Sequence, residues 1–106
     1  MKFINLTPHV INILAEDGGR ILELAPSGGI ARVASTSVKI GDVDGVPFFE
    51  TKLGEPEGVP EPEAGTTFVV SGLLRAACPG RDDLMQPGRL VRDETGKPIG
   101  CIGLSR

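Results

Sequence analysis

Few residues in this sequence carry the means for chemistry. His9 is the single histidine and the only side chain whose ordinary pKa lies near neutrality, so acid–base work would start there. It follows Pro8 at the entrance to an apolar run, a partly exposed position. Cys78 and Cys101 are the two thiols. The arrangements open to an enzyme are a Cys/His nucleophilic pair or a couple of His9 with Cys101 or Asp82, because partners need only meet in space. No local motif backs them: the sequence has neither a G-x-S-x-G elbow nor a cysteine-protease signature. His9 as a structural or surface histidine is the preferred reading, and the chain is read as more a binder than an enzyme.

Metal and cofactor chemistry has less support. The cysteines are separated by 22 residues, form no C-x-x-C pair and have one histidine to join them, which does not make a classical zinc site. They read as small buried hydrophobes. Asp82 and Asp83, like Asp42-Val43-Asp44-Gly45, lack the ligand spacing of a calcium loop. One aspartate capping a turn and the other pairing with an arginine explains the 82–83 doublet better. The glycines at 18–19 and 28–29 form neither G-x-G-x-x-G nor G-x-x-x-x-G-K, so no cofactor is expected.

Arg32, Arg75, Arg81 and Arg92 are the remaining set. Arg32 alternates with Ile30 and Ala34, and Arg92 with Leu90, so each is expected to sit half-buried beside apolar neighbours. A guanidinium there is either paired with a carboxylate or forked onto an anionic ligand. Arg81, Asp82, Arg92, His9 and Arg32 are the candidate binding residues. Charge sets the partner class. Residues 1–65 carry five basic and ten acidic groups, and residues 66–106 carry six basic and four acidic ones. A surplus of two is too small a positive face for nucleic acid, which leaves a protein partner, a small anion or further copies of the chain.

The elements that would position these groups are short. With 15 Gly and 9 Pro in 106 residues the chain turns often, and its length suits one domain with an aliphatic core. Val10–Ala15 and Arg20–Ala25 alternate around Glu16-Asp17-Gly18-Gly19 and predict a hairpin. Ile30–Ala34 reads as a third strand, with Ser35–Ile40 continuing it or forming another. After a turn at 41–45 comes Val46–Leu53, where adjacent Phe48 and Phe49 should face opposite sides, one of them into the core. Residues 54–65 hold three prolines and four glutamates and predict an exposed connector. Thr66–Val70 is strongly β-prone, and Ser71 followed by helix formers and Pro79-Gly80 predicts a single helix over about 72–78. Residues 81–88 read as a loop. Arg89–Asp93 and Ile99–Leu104 close the chain as a hairpin, with Gly100 and Gly103 marking a bulge or close approach. The sum is a mainly β domain, a small antiparallel barrel or sandwich with one short helix.

Asn5-Leu6-Thr7-Pro8-His9, Val69-Val70-Ser71, Arg81-Asp82-Asp83-Leu84, Pro87, Val91-Arg92-Asp93 and Gly100-Cys101 resemble a group of small bacterial and phage proteins that open with the same phrase. The resemblance implies a phage, prophage or mobile-element setting and brings no activity with it. Asn5, Thr7 and Pro8 interrupt any signal-type apolar run, which takes about seven residues, and a cytoplasmic location away from membranes is expected. The leading expectation is a β-rich binding module for a protein or small anion. The alternatives are a small hydrolase or transferase using His9, and a virion or assembly component.

Overall fold

A computed structural model describes residues 1–106. It contains eight strands and one helix: β1 (Lys2–Asn5), β2 (Ile11–Leu14), β3 (Arg20–Leu24), β4 (Ser35–Val43), β5 (Val46–Leu53), β6 (Thr66–Val69), α1 (Gly72–Ala77), β7 (Leu84–Arg92) and β8 (Pro98–Ser105). Six strands form one sheet in the order β1-β6-β7-β8-β2-β3, and β4 and β5 pair separately. The fold is mainly β with one short helix, as the turn-rich sequence implies.

Both sequence hairpins form. β2 and β3 pair antiparallel around the turn containing Gly18 (φ 89°), and β7 and β8 around the turn containing Gly96 (φ 86°). The larger sheet is mixed rather than antiparallel, because β1 runs parallel to β6, β6 to β7 and β2 to β8. The helix explains the middle pairing. A parallel pair needs a crossover of about a dozen residues, and α1 lies within the one between β6 and β7. Ser71 starts α1 as the sequence predicts, its hydroxyl accepting from the Leu74 N–H at 3.2 Å. Ser71→Ala should therefore destabilise the protein by about 1 kcal/mol in urea denaturation, and an unchanged midpoint would remove the cap from the account.

Four local expectations need correction. Ile30–Ala34 is not a strand, being held by the single bridge Arg32↔Glu57. Residues 84–88 are strand rather than loop, because Phe68 and Val69 offer β7 a parallel register at Leu84 and Met85. β4 runs on to Val43, and the turn is the two residues Asp44 (φ 51°) and Gly45 (φ 80°), positive φ at both matching the twist of a tight hairpin. Neither Phe48 nor Phe49 enters the core, both being exposed.

The interior flanks β6 on both faces, which is why Phe68-Val69-Val70 is continuously apolar. Phe68 and Val70 join Leu6, Ala31, Leu74 and Leu84 beneath the helix. Val69 points the other way, into Ile11, Ile13 and Cys101. The two sheet edges approach each other at the bridge Asn5↔Pro26, so the sheet nearly closes as a barrel. Asn5, almost fully buried, holds that seam. Its Nδ2 donates to the carbonyls of His9 (2.7 Å) and Leu24 (3.1 Å), and its Oδ1 accepts from the Thr7 N–H (2.9 Å) and hydroxyl (2.7 Å). The Asn5 carbonyl accepts from the Ser27 N–H and hydroxyl. No helix is long and apolar enough to cross a membrane.

Candidate functional site

The turn after β1 carries His9 to the mouth of an open cleft of about 490 Å³. Its walls come from residues 7–12, the start of α1 at Ser71 and Gly72, and the facing strands β7 and β8 through Pro87, Leu90, Ile99 and Cys101. Gly100 lines it for a steric reason: a Cβ there would stand 2.8 Å from the Asn12 carbonyl oxygen, where β8 meets β2. No carboxylate lines the cleft, and its apolar members Val10, Leu90 and Ile99 are each about half exposed.

The cleft brings His9 and Cys101 together and leaves Asp82 out. No hydrogen bond joins the imidazole to the thiol. Cys101 is buried, and its S–H is directed at the Gly103 carbonyl at 3.5 Å, while the His9 backbone carbonyl is engaged by Asn5. A nucleophile–base couple requires a shorter, direct contact. Both cysteines are free, and no three of the His, Cys, Asp and Glu side chains gather as a metal-ligand set.

The arginines do not converge. Arg81 forks onto Asp83 rather than Asp82, with Nε and Nη2 each 2.8 Å from a carboxylate oxygen, and Nη2 also donates to the Pro60 carbonyl. Asp82 is exposed. Arg92 and Arg32, expected half-buried, are both exposed. Arg92 donates to the Gly96 carbonyl at 2.9 Å. Arg32 borders a separate hollow of about 200 Å³ with Glu55 and Glu57, a setting that disfavours an anion. The buried arginine is Arg75, whose Nη1 donates to the Cys78 carbonyl at the helix C-terminus, a site where a cation is favoured.

The hydrogen bonds from Arg81, with smaller help from its charge and that of Arg75, hold the Asp83 carboxyl below the ordinary carboxylate value. A depressed folded-state pKa means that the pair stabilises fully above the ordinary value near pH 4 and fades as pH falls through the lowered one. The two side chains are 26% and 20% exposed, shielded enough for the effect to be read. Urea midpoints of wild type and Asp83→Asn should differ at pH 6 and converge toward pH 2. An equal gap at both would show that the ionised pair adds nothing.

The feature that sequence reasoning missed is the β4–β5 hairpin as a separate arm. Its strands pack chiefly on one another, and every residue in them is exposed. The register places Val38, Val43, Val46 and Phe48 on one face, and Phe49 and Leu53 on the other. Ile40 is the extra residue of a bulge between Lys39 and Gly41. These seven are nearly half of the fifteen exposed large apolar side chains of the molecule. The adjacent Phe48-Phe49 pair was the available signal, since a pleated strand presents them to both sides. Compared with protein-family models, with curated proteins and with solved structures, the chain has no match.

Proposed function

We propose that this chain is a protein-binding module that engages its partner through the faces of the β4–β5 arm. The observation carrying the reading is the concentration of seven large apolar side chains on an isolated two-stranded sheet. A two-stranded hairpin is marginal alone in water, and grouped exposed apolar side chains, here four on one face of the arm and two on the other, mark an interaction surface. Docking is by the faces and not by strand addition: Pro47 lacks an N–H on β5, and the bulge at Ile40 interrupts β4, two devices that blunt open edges. The anion version has weaker support, because Arg81 is already engaged by a carboxylate. The reading places the protein in the cytoplasm, in a phage or mobile-element setting. Two unpaired thiols are compatible with a reducing compartment.

A photo-crosslinking residue at position 48 tests this in cells expressing the chain, with the exposed turn position Asp17 as control. Position 48 should give one discrete adduct that disappears when Val38 and Val46 are both replaced by serine. Labelling at 48 no greater than at 17 would overturn the reading.

A further inference from the structure

The arm stands clear of the barrel, yet its base is fastened. Beyond the ends of β4 and β5 the two limbs go on pairing. The Gly54 N–H donates to the Ala34 carbonyl at 2.8 Å, and Arg32 and Glu57 exchange backbone bonds of 2.9 and 2.8 Å. These residues make a stem. Its incoming limb is tied into the core, where Ala31 is buried and its N–H donates to the Leu6 carbonyl at 3.0 Å. Gly58 (φ 76°) lets the limbs approach closely, since a Cβ there would overlap the Ile30 carbonyl oxygen.

The outgoing limb, residues 54–60, has one hydrogen bond to the body of the molecule. It runs from Arg81 Nη2 to the Pro60 carbonyl at 2.8 Å. The limb's other hold is packing: Val59 lies against the core cluster beneath the helix, as Val33 does from the incoming limb. Asp83 keeps the guanidinium aimed, accepting Nε and Nη2 on its two oxygens in a planar fork. The turn bearing both residues is itself fixed. Its Asp83 carbonyl accepts from the Phe68 N–H of β6 at 2.9 Å, and its Arg81 carbonyl from the Leu84 N–H at 3.2 Å. A continuous set of contacts therefore runs from β6 through Asp83 and Arg81 to the base of the arm.

From this single tie we infer that Arg81 is a clasp that fixes the angle of the arm against the barrel, with Asp83 as the group that aims it. Without the clasp the β4–β5 ladder stays paired, but its base is free to pivot about the anchor at Ala31. A docking element held in one orientation loses less conformational freedom on binding than one that swings. The clasp stands without a partner; its effect on binding rests on the arm being the docking surface.

NMR relaxation of the backbone amides tests it, comparing the wild type with Arg81→Met. The double variant Arg81→Met/Asp83→Asn, which strands no carboxylate, guards against a failure to fold. In the wild type the amides of β4–β5 and of β7–β8 should report one common tumbling time. In both variants the arm should reorient faster than the barrel. The Arg32 and Glu57 amides should also lose at least about tenfold more hydrogen-exchange protection than those of β7–β8, the weight of one hydrogen bond from a charged donor. An arm that keeps the tumbling time of the barrel, or an equal loss of protection everywhere, overturns the clasp. The adduct from position 48 separates this from the docking reading, and should weaken in Arg81→Met. An unchanged adduct overturns the part of the clasp in docking. The absence of any adduct in the wild type removes the docking reading, and the relaxation result then decides the clasp by itself.

Discussion

Asn5→Ala is expected to destabilise the fold by about 3–5 kcal/mol, the largest loss for any single polar side chain here. The amide makes four hydrogen bonds at a position 1% exposed, so truncation strands the carbonyls of His9 and Leu24 and both Thr7 donors. Each buried group left unpaired costs about 1–3 kcal/mol, moderated here because Thr7 is half-buried and its donors can reach water. Asn5→Asp separates the two sides of the amide. It keeps acceptors for Thr7 but turns a carboxylate toward two carbonyl oxygens, and should be no more stable than the alanine variant. Urea denaturation at pH 7 reads both. A loss under about 1 kcal/mol for Asn5→Ala would mean that the seam between β1 and β3 is not held by this side chain.

Gly88→Ala should be comparably severe, at least about 3 kcal/mol or a failure to fold. Gly88 lies between the paired positions Pro87↔Leu104 and Arg89↔Ile102, facing Gly103. An added Cβ would overlap the Ile102 carbonyl oxygen and crowd that of Gly103 at 3.0 Å. The obstructing atoms are backbone, so no rotamer change relieves them and β7 must separate from β8. Gly80→Ala is the matched control, with open space around it and no positive φ, and should be neutral or slightly stabilising. Thermal melts of the two proteins should separate widely. Similar melting temperatures would show that the β7–β8 ladder tolerates a bulge at Gly88.

What could be read from the sequence was what neighbouring residues decide. The turns at Gly18 and Gly96, the alternation in residues 10–25 and the Ser71 cap are local, and they formed as expected. β1 was invisible because Lys2–Asn5 becomes a strand only through its parallel partner Thr66–Val69, more than sixty residues away. The same distance hides the role of Asn5: Asn-x-Thr shows a local turn, but not that the amide also reaches Leu24. Alternation put Phe48 and Phe49 on opposite faces correctly. It could not say that both faces look into solvent, which depends on the arm standing clear of the barrel. The burial expected for Arg32 and Arg92 failed for the related reason that sharing a face with Ile30 or Leu90 matters only if that face is covered, and Ile30 and Leu90 are themselves exposed.

The position of β8 between β7 and β2 also dictates when the molecule can assemble. Only the β2–β3, β4–β5 and β7–β8 ribbons can zip from residues close in sequence, and the last of them forms only when the final strand is made. The N-terminal strand must wait for residues 66–69, and Ile13 and Leu14 for Cys101 and Ile102. On a ribosome the sheet thus stays open until nearly the whole chain has emerged, with a long apolar hairpin already formed and nothing yet to shelter it. Long-range pairings of this kind slow folding and prolong the exposure of sticky intermediates, so yield in the cell should depend on chaperone supply more steeply than final stability would suggest.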